Sequence, residues 1–374
     1  MKIGKLNFKP HAAKKPVMMS LAGKFMTAKD VFETVTLGSV LALGEEQKKK
    51  LVLERYRLEP DFKIGTIGHG LLTKKDVMGH IQADSELGRE FMMIELGYCN
   101  ELMSSLKSKT LPAWPKIPTK VIPKVPYWKP IKKCIHLRLR TRALFCENTT
   151  DSVTGPFAAY RKKHVHPVFQ KRGFFVDVLD GTDDVRSKFA PKARQSLTVY
   201  ISGIGHGNYS VYTGHHGNHI LEVCKYDPAE VKGKSIHFLS CQTAGKLGPD
   251  TIKKGANSYA GYSENFHLIW DVPGTPGVNE FELFAKSDST YDIAMALGAT
   301  AQQAYNLTVA AFNAAIAQVP GTQAASLLTW DRDHLKRLGS ATAIIRPYRW
   351  VKICFPITKW LKEEALAEAG DVTD

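Results

Sequence analysis

The stretch VYISGIGHGNYSVYTGHHGNH at residues 199–219 holds four histidines and five glycines. Such a run suits one of three chemistries. Glycine N–H groups can cradle a phosphate, clustered imidazoles can bind a metal, or a single histidine can move protons for a nucleophile. A phosphate loop needs a helix N-terminus behind it. Here YSVYTGHHGNHILEV comes next instead, with the alternation of a β-hairpin. A metal centre would draw on His206, His215, His216, His219 and Cys224. The spacing GHHGNH fits the exposed rim of a hairpin better than the paired ligands of a zinc fold, so no metal and no cofactor are expected. The third chemistry has a partner elsewhere in the chain. LTVYISG runs as a strand into IGHG, placing His206 at its tip, and KSIHFLS runs into CQTAG, placing Cys241 at the tip of another.

In a parallel sheet, loops at the carboxyl ends of strands gather function. If these two strands are neighbours, a thiol and an imidazole share one sheet edge, as a cysteine nucleophile requires. The N–H groups of Gly207 and Cys241 are then the candidate oxyanion donors. A second IGHG at 67–70 contains His69 but has no matching cysteine-bearing strand, and is read as a chance similarity in a turn.

YISGIGHG, followed 34 residues after Gly207 by the cysteine of IHFLSCQTA, resembles the caspase-like fold of cysteine peptidases. That group includes caspases, gingipains, clostripain, separase and bacterial CHAT-domain proteases. In them one strand ends in His-Gly and the next core strand ends in the nucleophilic cysteine. The likeness covers roughly residues 135–340, and ANSYAGYSENF looks like the strand flanking the substrate cleft. It implies His206 as general base or acid, Cys241 as nucleophile, and Gly207 with Cys241 as the oxyanion hole. Leu239-Ser240 stand before the cysteine where caspases carry Gln-Ala, which favours the broader bacterial branches over aspartate specificity. Glu264 and Asp271, beyond the flanking strand, are the candidate substrate-binding acids for a basic residue.

Several elements must position these groups. Residues 1–109 read as a mostly helical region, with apolar residues at three- and four-residue spacing and a threonine-to-aspartate cap at Thr73 and Asp76. Between Pro112 and Pro130 lie six prolines spaced by lysines, an extended connector assigned to 110–133. From 134 to 345 short apolar strands alternate with helices, which predicts an α/β domain with a mostly parallel sheet flanked by helices. DRDHLKRLG is read as a helix, and the tail at 346–374 as helical through WLKEEALAEAG.

The 374 residues are 44% hydrophobic and 10% aromatic, which argues against disorder. The net charge of +15 raises nucleic acid as a partner. The basic residues read as spread along the chain, however, so a lysine-rich solvated surface is preferred. Six cysteines, at 99, 134, 146, 224, 241 and 354, form no CxxC pair and fit a reducing compartment. Cys99, Cys134, Cys146 and Cys354 sit in apolar runs and are expected as buried thiols. No apolar run reaches membrane-spanning length and no convincing signal peptide opens the chain, so a soluble cytoplasmic protein is expected, with no membrane partner.

The expected function is a cysteine endopeptidase acting on protein substrates through an acyl-enzyme thioester. The likeness further implies regulation in bacterial stress or phage defence. The N-terminal region would dock an activating or inhibiting protein. Alternatives are a transamidase using the same dyad, and a non-catalytic module for an acidic partner or nucleic acid.

Overall fold

Alternating side chains on six short strands decide the architecture. A computed structural model describes the chain except for residues 21, 35–38, 67–69, 107–111, 118–133, 271–278 and 355–374. The central sheet consists of β1 (Arg142–Glu147), β2 (Phe175–Asp180), β3 (Thr198–Ile204), β4 (Ser235–Leu239), β5 (Ser258–Tyr262) and β6 (Leu335–Gly339), in the spatial order β2-β1-β3-β4-β5-β6. The first five strands are parallel, and β6 closes the edge antiparallel to β5.

Both faces of the sheet are covered. Leu144, Ile201, Ile236, Phe238 and Tyr259 pack with Phe189 and Ala193 of the helix Arg186–Ala193 and with Leu247. Ala143, Phe145, Tyr200 and Ala260 pack on the other side against Phe169, Tyr291, Ala294 and Met295. A strand buried on both faces reads as a continuous apolar run, which is why the strands were legible as short apolar segments.

Four helices support the site and the layer beneath it: α1 (Glu86–Leu106), α2 (Gly155–His164), α3 (Glu280–Ala296) and α4 (Gln323–His334). The expected helix DRDHLKRLG is corrected. Only Asp331–His334 belong to α4, whereas Leu335–Gly339 form β6, because the fully buried Leu335 joins the sheet edge opposite Tyr262. The segment CIHLRLRTRALFC divides at Thr141 into β1 and a separate ribbon in which Cys134–Arg140 pairs antiparallel with Tyr348–Cys354. For Cys134 and Cys354 the strand alone is described. Cys99, Cys146 and Cys241 are buried thiols, and Cys224 is exposed. The tail helix WLKEEALAEAG and most of the proline connector lie outside the described residues.

The N-terminal region carries helices and short strand pairs together. Thr73 and Asp76 form the expected reciprocal cap, with Thr73 N–H donating to Asp76 Oδ2 at 2.8 Å. Lys63–Thr66 pairs antiparallel with His267–Trp270, just beyond β5. One hydrophobic core then runs from Ile3, Val52, Phe91 and Leu102 into Leu239, Cys241, Phe266 and Leu268. The first hundred residues therefore pack against the part of the sheet domain that holds Cys241. No helix among the described residues is long and apolar enough to cross a membrane.

Candidate active site

β3 and β4 are parallel neighbours, with Ile204 opposite Leu239. Their carboxyl ends therefore bring the His206 turn and the Ser240-Cys241 turn side by side. Gly205 N–H donates to Leu239 O at 3.3 Å, carrying the contact one residue past the strands. The alternate glycines of GIGHG answer to packing. A Cβ on Gly203 would meet Tyr212 Oη at 2.3 Å, one on Gly205 would meet Thr213 O at 2.1 Å, and one on Gly207 would meet Ser240 Oγ at 2.2 Å. The motif lets the hairpin Val211–Thr213/His219–Glu222 and the Ser240 turn close on the strand end, which no larger residue permits.

His206 has a partner that sequence reading missed. Its Nε2 lies 3.0 Å from Asp151 Oδ2, at the loop leaving the carboxyl end of the neighbouring β1. Asp151 is itself fixed by a local turn. Its Oδ1 accepts from the N–H groups of Val153 and Thr154, both at 2.8 Å, and its Oδ2 from Thr154 Oγ1 at 2.7 Å. Burial works against the charged carboxylate. The hydrogen bonds from His206 and Thr154 override it and hold the carboxyl well below its usual range. An ionised Asp151 accepting at Nε2 fixes the proton there and leaves Nδ1 as the basic nitrogen. That Nδ1 is buried and has no hydrogen-bond partner. The signal in the sequence was ENTTDSVTG after a strand, whose aspartate suits a turn as readily as a site.

Cys241 is placed differently. It is 1% exposed, and its Sγ accepts from Phe266 N–H at 3.2 Å, within the core shared with the N-terminal region. Burial, with further pressure from the Glu90 and Asp331 carboxylates, pushes the thiol up and holds it protonated, against the lowering hydrogen bond from Phe266. The next residue, Gln242, adopts a left-handed φ of 59°, so the chain turns sharply there. Ser240 Oγ is fully buried without a partner and faces Gly207. The fold thus brings both strand ends together, with Ser240 against the histidine turn and the Cys241 thiol toward Phe266.

Glu264 lies on the adjoining loop, where its carbonyl accepts from Gln242 N–H at 3.1 Å. Its carboxylate is the largest influence raising the Tyr209 phenol, followed by burial and by Glu90 and Glu86 of α1. Tyr209 is 42% exposed and packs beside the same turn, since its ring stands 2.4 Å from where a Cβ on Gly245 would be. Three carboxylates from two chain regions therefore bear on Tyr209 beside the cysteine turn, Glu90 among them while it also holds Asn265 Nδ2 at 3.0 Å and His267 Nε2 at 3.1 Å. Asp271, like His69, lies outside the described residues.

Two of the remaining histidines of the opening stretch behave as a hairpin rim, whereas His215 is half-buried with its Nδ1 enclosed. His216 and His219 are exposed, and His219 Nδ1 pairs with Glu222 at 2.8 Å. Among the described residues, the one group of three metal-type ligands with atoms within 4.8 Å of one another is His237, Asp288 and Asp292, fully buried beneath β4. Protein cations already serve it. Arg161 of α2 sits 3.2 Å from Asp292 Oδ2, 3.0 Å from Glu147 Oε1 and 2.8 Å from Ser202 Oγ. Tyr200 and Ser202 donate to Asp292 Oδ1 at 2.6 and 2.8 Å. His237 spans the two aspartates, with Nδ1 3.1 Å from Asp292 and Nε2 3.3 Å from Asp288. Burial favours the neutral imidazole, but the two carboxylates outweigh it and raise His237 to about 9. This network ties β3 and β4 to α2 and α3, four residues before His206 and Cys241 respectively. Comparison of the chain with family models, with curated proteins and with solved structures gives no match.

Proposed function

We propose that the protein is a cysteine endopeptidase with Cys241 as nucleophile and His206 as general base, oriented by Asp151. The observation that carries this reading is the juxtaposition of the His206 and Cys241 turns at the carboxyl ends of adjacent parallel strands, with the His206 tautomer set by an ionised aspartate. That arrangement also agrees with the likeness to the caspase-like fold. The buried, protonated thiol fits a resting form that the N-terminal region helps keep silent. On activation the Cys241 side chain turns from Phe266 toward His206, whose Nδ1 takes its proton. The thiolate attacks the peptide carbonyl, His206 returns the proton to the leaving amine, and water resolves the thioester. An amine in place of water would give the transamidase outcome from the same acyl-enzyme. The carboxylates of Glu264, Glu90 and Glu86 around Tyr209 support preference for a basic residue before the scissile bond.

A second nucleophile is favoured by one observation: Ser240 Oγ, and not the thiol, faces the histidine turn. The test is profiling on a peptide library together with labelling by an electrophilic thiol probe, using wild type, Cys241→Ala and Ser240→Ala. Cleavage and labelling lost in Cys241→Ala and kept in Ser240→Ala support the assignment. Cleavage kept in Cys241→Ala and lost in Ser240→Ala transfers the role to the serine, and cleavage kept in both removes it from this turn.

A further inference from the structure

The positive charge is concentrated, contrary to its spread-out look in the sequence. Eleven lysines and arginines and no acid fall between Glu101 and Glu147, and seven more and no acid between Asp333 and Glu363. With those eighteen set aside, 33 basic residues face 36 acidic ones, so the whole excess belongs to two segments far apart in the chain. The fold joins a stretch of each, because Cys134–Arg140 and Tyr348–Cys354 pair along their length as the antiparallel ribbon.

The register arranges this ribbon as a face. Arg138 is opposite Trp350 and Arg140 opposite Tyr348, and paired residues of an antiparallel ladder project to the same side. Trp350 is 49% exposed, and Arg138 and Arg140 are exposed too. The Arg138 guanidinium stacks 3.5 Å over the Tyr348 ring, whose hydroxyl is seated on Gly173. A second stack, Arg142 over the 42% exposed Phe175 at 4.2 Å, lies on the adjoining sheet. The ribbon is held against the amino ends of the strands. Arg140 donates to the carbonyls of Gly173 and Phe174 just before β2, and Thr141 N–H donates to Pro347 O just before β1. It therefore stands at the end of the sheet opposite His206 and Cys241.

We infer that this ribbon binds single-stranded nucleic acid, with Arg138 on a phosphate and Trp350 stacked on a base. An exposed indole beside an exposed guanidinium on a two-stranded surface is what a strand with accessible bases recognises. An anionic membrane has no bases for those rings to stack on, and a duplex keeps its bases stacked inside.

The test is fluorescence anisotropy of a labelled 20-nucleotide mixed-sequence single strand against the full chain, over 0.05–0.3 M NaCl. Binding should weaken steeply with salt. Arg138→Gln, removing one phosphate contact, should weaken it about fourfold at 0.15 M salt. Trp350→Ala should cost about tenfold from lost stacking, and the double variant about fortyfold. Lys29→Gln with Lys253→Gln, two exposed lysines away from the ribbon, should stay within about twofold. The inference is overturned if the strand does not bind at 0.05 M salt, or if the control variant loses as much as the ribbon variant. Tighter binding to a duplex of the same sequence, or capture by phosphatidylserine vesicles without oligonucleotide binding, overturns it equally.

Discussion

The charge on His237 governs the stability of the layer beneath the candidate site, and its effect can be worked out from the structure. The imidazole is fully buried between Asp288 and Asp292, and those carboxylates raise it to about 9. An unfolded histidine titrates near 6.5. Between those values the folded chain holds a proton that the unfolded chain has lost, so its contribution is complete below about pH 6.5 and disappears as pH rises through about 9. A shift of that size corresponds to roughly 3 kcal/mol.

The perturbations are pH and His237→Gln, and the assay is urea unfolding followed by circular dichroism from pH 6 to pH 10. At pH 6 the variant should be less stable by about 3–5 kcal/mol, because two buried carboxylates lose a cation. By pH 10 wild type has lost the same charge, and the gap between the two proteins should shrink by roughly 3 kcal/mol, or about 1 M in urea midpoint for a chain of this size. Asp184, whose buried carboxyl is raised to about 8, titrates in both proteins and cancels, so the difference reports His237 together with the Asp292 carboxylate that it holds low. A gap that stays constant from pH 6 to pH 10 would show that His237 is neutral in the folded protein.

Three further outcomes are expected. His206→Ala should lower peptide cleavage by roughly 10²–10⁴ while His216→Ala and His219→Ala leave it unchanged; kinetics in which a hairpin variant is the damaged one refute the assignment. Asp151→Asn should lower kcat and alter its pH profile with little change in KM, because the amide no longer fixes the His206 tautomer; an unaltered profile would leave Asp151 a purely structural turn. Glu264→Gln, and more so Glu264→Gln with Glu90→Gln, should narrow the preference for arginine over leucine before the scissile bond in matched peptides; an unchanged ratio, or a preference for aspartate, places the acidic rim outside the specificity pocket.

Much of the layout of the candidate site was open to a sequence reading because it is local. The runs LTVYISG and KSIHFLS are strands whatever their neighbours, and the residues directly after them stand at strand tips by necessity. Alternation of strands and helices likewise implied a parallel sheet covered on both sides. Periodicity could not separate α4 from β6, because Leu335 and Leu338 stand at a helical spacing of three, whereas the edge strand packs them into the cores on opposite faces of the sheet.

What tertiary structure alone decided are the relations between distant segments. Asp151 reaches His206 only because β1 lies beside β3, although 55 residues separate the two. Glu90 bears on the cysteine turn because a strand past β5 pairs with one at Lys63–Thr66, drawing the N-terminal region onto the sheet domain. The direction of the Cys241 thiol is set by which core fills the space beyond β4, a property of packing that no residue spacing encodes. The positive charge looked dispersed because its two acid-free segments lie at opposite ends of the α/β region. Backbone hydrogen bonding across the ribbon brings a stretch of each together, since pairing depends on geometry in space and not on distance along the chain.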